Sequence, residues 1–114
     1  GTLKFYLQEH QEKNVTVTDK GHGKLAVTNY QVKKSNDSHA LLQIQITTGR
    51  KNQIRASFSH IGHPIVGDKK YYAHTNPIHR VALASTRFVF LHPVTKKEVK
   101  IEEKIPKEFL KLVK

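Results

Sequence analysis

Thr48-Gly49-Arg50-Lys51-Asn52-Gln53-Ile54-Arg55 concentrates the side chains best suited to chemistry in this chain. Two arginines stand five positions apart, and a glycine precedes the first. Alternating apolar residues run up to this segment and a helical period begins at Ile54, so it joins a strand to a helix. Arg50 leaves a glycine turn at the helix start, where it and nearby backbone N–H groups are placed to meet a phosphate. Arg55 follows the apolar Ile54 at the junction of sheet and helix. A guanidinium there needs a carboxylate or an anionic ligand, because a buried unpaired charge is costly. The spacing fits equally an arginine that is surface-exposed or paired with a local acid, and leaves both open.

Other candidates are spread downstream. Lys51, Lys69 and Lys70 are placed, with Arg50, to contact phosphates, or are ordinary surface charges. Arg80 meets an anionic ligand or holds a structural carbonyl. Asp68, after Gly67, is predicted to shape a turn by accepting backbone N–H groups. Tyr71 and Tyr72 fit packing better than stacking on a ligand. His60 and His63 lie three apart and His74 and His79 five apart, but with His63 before a proline in a turn they make no convincing metal set. His92, before Pro93, reads as a turn residue rather than a general base. No Ser-His-Asp arrangement or phosphate-binding glycine loop stands out.

The elements that must hold these residues are legible from the pattern. Gly1 to His10 holds one short apolar set, Leu3, Phe5-Tyr6 and Leu7, and residues 1–23 read as a peripheral segment of the single domain 1–114. Val15 to Thr18 fits a short strand. Ala26, Thr28, Tyr30 and Val32 alternate within residues 24–34, and Leu42, Ile44 and Ile46 within residues 40–48, giving an antiparallel hairpin around Ser35-Asn36-Asp37-Ser38. Ile54, Phe58 and Ile61 form one helix face, ended by Gly62 at C′ and by His63-Pro64. Val81 to Leu91 reads as a buried strand, His92 to Lys97 as a reversal, and Glu98 to Glu103 as a further strand. Pro106 starts a closing helix with Phe109, Leu110 and Val113 on its apolar side. The predicted class is α+β: residues 24–114 form a mainly antiparallel sheet with one internal and one short C-terminal helix.

Composition bounds the function. The 114 residues suffice for one small domain, and 37% hydrophobic content is too high for a disordered tail. Lys and Arg number 20 against nine Asp and Glu, a formal charge of +11, which favours an anionic partner, nucleic acid above all. No apolar run is long enough for a membrane span. The absence of Cys excludes disulfides and thiolate metal sites and is compatible with a reducing cytoplasm. The sequence has no Met, so a chain opening Gly1-Thr2 is expected to be processed or a piece of something longer.

Four ordered motifs carry a resemblance: Thr48 to Arg55, Ile61-Gly62-His63-Pro64-Ile65-Val66-Gly67-Asp68, Arg80-Val81-Ala82-Leu83 and Phe90-Leu91-His92-Pro93. Together they resemble the C-terminal half of the RluA-type pseudouridine synthases, with T-G-R-x-H-Q-I-R, I-G-H-P-I-x-G-D-x-x-Y, R-L-A-L-H-A and F-x-H-P in that order. Lys24 to Tyr30 is similar to the strand preceding the first motif. The likeness spans roughly residues 24–110. Asn52 stands where that family usually has His, and Ala84-Ser85 where it has His-Ala.

The resemblance implies an enzyme that isomerises uridine to pseudouridine in rRNA or tRNA, in the cytoplasm, with no metal or redox cofactor. Arg55 matches the arginine that pairs with the catalytic aspartate, while Arg50, Lys51, Asn52, Gln53, Lys69, Lys70 and Arg80 fall at RNA-contacting positions. That aspartate sits upstream in an R-L-D context, and Asp19, Asp37 and Asp68 lack it. The resemblance therefore predicts an inactive C-terminal fragment whose Arg55 is solvent-exposed or holds an adventitious anion. It also predicts a sheet edge exposed by truncation, open to self-association. The alternative is a non-catalytic basic RNA-binding module of the same fold.

Overall fold

Leu3, Phe5 and Leu7 alternate toward one side of an eight-residue strand, β1 (Thr2–Glu9), whose Leu7 is buried in the core. The computed structural model describes residues 1–10, 14–73, 75–85, 87–91, 98–102 and 105–114. β1 is followed by β2 (Val15–Thr18), β3 (Lys24–Ser35) and β4 (Ala40–Ile46), and the four form an antiparallel sheet in the order β2-β1-β3-β4. β1 therefore lies inside the sheet, bonded to β2 on one side and β3 on the other. The expectation of a peripheral segment over residues 1–23 fails here: two of the four strands come from it. The α+β class holds, with all strand pairs among the described residues antiparallel.

The β3–β4 hairpin pairs Val32 with Leu42, Tyr30 with Ile44 and Thr28 with Ile46, so the predicted alternating residues share one face. Ala26 and Thr28 are fully covered, whereas Val32 is 52% exposed because the hairpin runs beyond the core. Helix α1 (Gln53–His60) lies on the covered face, its Phe58 ring edge-on to Tyr30 at 5.6 Å and its His60 ring edge-on to Phe5 at 4.9 Å. The predicted face of Ile54, Phe58 and Ile61 is only partly right. The buried residues are Gln53, Ala56, Ser57 and Phe58, and Ile61 is 38% exposed. Small Ala56 and Ser57 let the helix approach the sheet closely, and the amide of Gln53 satisfies backbone groups that the contact would otherwise strand.

The end of α1 follows the sequence reading. Gly62 has φ +85°, its N–H donates to the Ser59 carbonyl and that of His63 to the Phe58 carbonyl, the paired bonds of a Schellman motif. The chain then passes through a short 3₁₀ turn (Lys69–Tyr71) to an irregular stretch. Residues 81–85 are not strand. β5 (Arg87–Leu91) begins later than predicted and pairs with β6 (Glu98–Glu102) as a separate two-stranded ribbon. The reversal over residues 92–97 and His74 lie outside the described residues. Helix α2 (Lys107–Leu112) closes the chain, with Phe109 and Val113 buried but Leu110 40% exposed, contrary to expectation. Its C-terminal carbonyls of Leu112 and Lys114 accept from the side-chain amide of Asn36 in the β3–β4 turn.

The core is small: Leu7, Val15, Ala26, Ala56 and Tyr71, flanked by Phe5 and Val17. Tyr71 is its most polar member. Its hydroxyl accepts from the backbone N–H of Val15 and from the side-chain amide of Asn52, both at 3.1 Å, and so ties the 3₁₀ turn to β2 and to the start of α1.

Candidate functional site at the start of helix α1

The loop before α1 is organised around one side chain. Gln53 is 2% exposed. Its Nε2 donates to the Val27 carbonyl and to Thr28 Oγ1, while its Oε1 accepts from Thr48 Oγ1 and the Arg50 backbone N–H. An amide side chain has two donors and one two-lone-pair oxygen, so its hydrogen-bonding capacity is fully used inside the protein. The expectation that Gln53 contacts RNA is thereby corrected: it is the internal strut of the loop. Asn52, just before it, adopts the left-handed conformation at φ 51°, a region asparagine tolerates.

With the loop fixed, Arg50 and Arg55 point into adjoining space. Arg50 Nε donates to the Leu25 carbonyl at 2.9 Å, anchoring an otherwise exposed guanidinium. On one side lies a groove of about 540 Å³ bordered by His22, Lys24, Arg50 and Lys51, with Glu9 the acidic residue on its wall. On the other lies a smaller groove of about 240 Å³, walled by Ile46, Ile54 and Leu83 and presenting Arg50, Asn52 and Arg55. Arg50 stands on the wall between them. Cationic forks against apolar walls suit a phosphorylated, partly aromatic ligand.

Arg55 departs from its sequence expectation. It is paired inside the chain rather than solvent-exposed: Nε donates to Asp68 Oδ2 at 2.9 Å and Nη2 to Asp68 Oδ1 at 2.8 Å, a two-pronged pair. Asp68 is wholly buried and the Arg55 side chain is 24% exposed. The guanidinium carbon sits 4.9 Å from the centre of the Tyr71 ring, and Nη1 reaches Asn52 Oδ1 at 3.4 Å. The bonds to Asp68 hold the guanidinium above the ordinary arginine range, against the opposing effect of partial burial. The prediction for Asp68 changes with it. Its carboxylate caps no turn, although its backbone carbonyl accepts from Tyr71 and Ala73. Of five guanidinium N–H groups, Asp68 takes two and Asn52 one. One N–H on Nη1 and one on Nη2 keep no partner among the described residues.

The remaining predicted residues divide. Lys51, Lys69 and Lys70 are exposed. Lys69 and Lys70 ride on the turn that carries Tyr71 under Arg55. Arg80 is elsewhere occupied: Nε donates to Glu108 Oε1 at 2.8 Å, Nη2 bonds the same oxygen, and the guanidinium lies 5.0 Å from the Phe109 ring centre. It fastens α2 and borders neither groove, a pairing with Glu108 that the sequence reading did not foresee. Tyr71 packs, as expected, but Tyr72 is 78% exposed and held at φ 72°, ψ 25°. That left-handed geometry costs a bulky side chain about 1–2 kcal/mol. Sequence reasoning missed the Arg55–Asp68 pair. A signal was present, since Asp19 and Asp37 sit in polar turn sequences and only Asp68 follows an apolar pair, Ile65-Val66.

Known proteins share this sequence and fold. Residues 1–60 match the family model described as RNA pseudouridylate synthase. An uncharacterized RNA pseudouridine synthase, YjbO, of Bacillus subtilis is 33% identical over 114 residues, covering all of this chain and 40% of that protein. The ribosomal large subunit pseudouridine synthase D of Xylella fastidiosa is 30% identical over 127 residues, covering 99% of the chain and 38% of the relative. The chain thus spans about two fifths of the length of these curated relatives. Among solved structures, human RNA pseudouridylate synthase domain containing 1 superposes with a TM-score of 0.79 at 20% identity, over all of this chain and 51% of that one. Human domain containing 4 gives 0.71 at 24%, over 96% and 53%. At those identities the two human structures speak for the fold.

Proposed function

The chain belongs to the RNA pseudouridylate synthase family, and on that premise we propose that it is part of an enzyme converting uridine to pseudouridine in ribosomal or transfer RNA. The reaction breaks the N1–C1′ bond of the nucleoside, turns the base, forms C5–C1′ and releases the C5 proton, while N1 regains one. It calls for no redox change and no metal. It requires a uridine withdrawn from its stack, a basic approach for the backbone and a positioned carboxylate.

The observation that carries the reading is the divided guanidinium of Arg55. Asp68 grips the Nε–Nη2 edge and fixes its orientation, while Arg55 lines the smaller groove and keeps one N–H on each of Nη1 and Nη2 to offer a carboxylate. Arg55 is thus suited to seat a catalytic aspartate without itself being left uncompensated. Arg50 and Lys51 supply phosphate contacts beside it, Asn52 borders the same groove, and Lys69 and Lys70 extend the basic surface. We place the protein in the cytoplasm on the strength of that proposed substrate; separately, among the described residues no helix is long and apolar enough to cross a membrane.

One observation favours a second reading, a module that binds RNA without catalysing. Asp19 bonds the Gly21 N–H and His22, Asp37 lies exposed in the hairpin turn, and Asp68 is consumed by Arg55. No aspartate of these 114 residues is free at the groove, so catalysis draws its carboxylate from a longer protein. Tritium release from [5-³H]uridine-labelled bulk RNA separates the two. A longer protein carrying this chain is expected to release tritium, its Arg55→Ala form to lose the activity, and the 114-residue chain to show none. A folded, RNA-binding longer protein that releases none would establish the module, and release unaffected by Arg55→Ala would remove Arg55 from the mechanism.

A further inference from the structure

Tyr72 is the largest apolar surface that the described part of the chain gives to solvent, with 78% of the residue exposed. Its position is fixed rather than loose. The Tyr72 N–H donates to the Lys69 carbonyl and the Ala73 N–H to the Asp68 carbonyl, both at 3.1 Å, which closes the turn and sets the left-handed backbone at φ 72°. The turn is anchored from below: Tyr71 is buried, its carbonyl accepts from Ser59 Oγ at 2.7 Å, and its ring lies under Arg55. The exposed ring therefore follows directly on the residue that floors the Arg55 site. It is carried on a turn with two exposed lysines, Lys69 and Lys70. A tyrosine in a backbone region that favours glycine, returning almost no packing, is unexplained by the needs of the fold.

Resting on the reading above, we infer that Tyr72 is a stacking platform for an unpaired nucleobase of the bound RNA, with Lys69 and Lys70 meeting the adjoining phosphates. An aromatic face beside ammonium groups is the pairing that single-stranded nucleic acid recognises, since every base has a π-face and every linkage a charge. The +11 charge of the chain selects a polyanion over an apolar protein partner. The contact is sequence-tolerant and acts on a nucleotide flanking the target rather than on the reacting uridine.

The test uses fluorescein-labelled twelve-residue oligouridylate and, as a base-free polyanion, inorganic polyphosphate. Tyr72→Gly is expected to weaken oligouridylate binding about 5- to 150-fold, the range for losing one base–aromatic stack. It should leave polyphosphate binding unchanged and raise the thermal midpoint, because glycine suits φ 72°. Tyr72→Phe is expected to bind as the unmodified chain does. Since the sequence has no tryptophan, Tyr72→Trp gives a single reporter whose emission is expected to quench on adding unlabelled oligouridylate. Unchanged affinity in Tyr72→Gly, an equal loss on both polyanions, or an indole emission in Tyr72→Trp that ignores saturating oligouridylate would each overturn the platform while leaving the proposed function standing. An unmodified chain that binds no oligouridylate would overturn the platform, and the proposed function would then stand or fall on tritium release by the longer protein.

Discussion

Asp68→Asn is the sharpest test of the buried pair. The substitution keeps shape but leaves the Arg55 cation without its counter-charge. It also turns an amide N–H toward one of the two guanidinium N–H groups that now reach Oδ1 and Oδ2 at 2.8 and 2.9 Å. Removing one partner of a buried pair costs about 3–5 kcal/mol. Asp68 is wholly buried, but a quarter of the Arg55 side chain meets water and regains some hydration, which puts the loss near the lower bound, about 3 kcal/mol. Urea unfolding followed by circular dichroism measures it. With a slope of about 1–3 kcal/mol per molar, the midpoint falls by about 1–3 M. The matching double variant, Arg55→Met with Asp68→Leu, replaces the pair by apolar groups of similar volume and is expected to recover most of the loss. A single-variant shift below about 0.3 M, or single losses that simply add in the double variant, would refute the claim that desolvation makes this pair interdependent.

Gly67→Ala should be the most damaging small change in the chain, costing more than about 4 kcal/mol. Its φ is +80° and a Cβ would overlap the Arg80 carbonyl oxygen, so soluble, cooperative unfolding near the parental midpoint would contradict the packing described. Gln53→Ala strands the Arg50 N–H and leaves the Val27 carbonyl with the Thr47 N–H alone; it is expected to cost about 1–3 kcal/mol, with faster amide exchange at Arg50, and unchanged exchange would show the loop is held otherwise. Arg55→Lys cannot span both carboxylate oxygens and should lose about 1–2 kcal/mol at neutral pH. Arginine's raised value keeps its contribution complete below the ordinary arginine range and loses it only at still higher pH, whereas a lysine loses its own near pH ~10–11. The stability gap between the two proteins should therefore widen above that pH, and a constant gap would argue against the sign. The outer edge of β4, with Ile46 45% exposed, is expected to give concentration-dependent dimers by sedimentation, and strictly monomeric behaviour at every concentration would count against it.

Local signals carried the parts of this structure that sequence made legible. The alternation through Ala26, Thr28 and Tyr30 is a property of consecutive residues, and Gly62 ends its helix through a conformation only its own backbone requires. Arg50 at the loop before α1 was legible for the same reason. The strand through residues 3–7 is obscured because Tyr6 fills the gap in the alternation and makes Phe5-Tyr6-Leu7 three consecutive apolar residues. The face of α1 was misread because a buried glutamine looks polar until its partners, Val27, Thr28 and Thr48, are brought to it by the sheet. The Arg55–Asp68 pair bridges thirteen residues and a helix end, so no local period announces it. The Arg80–Glu108 pair is hidden likewise: Glu108 arrives from 28 residues away.

The four bonds of Gln53 bear on how fast a ligand arrives as well as on where it sits. A loop already fastened to β3 has little backbone freedom left to surrender when RNA binds, so the ordering penalty falls mainly on the lysine and arginine side chains. Encounter then resembles docking onto a stiff, charged rim rather than folding around a guest. Association should accordingly be rapid and steeply salt-dependent, with the rate governed by electrostatic steering. Discrimination among RNAs would fall to dissociation, where groove shape and stacking are read.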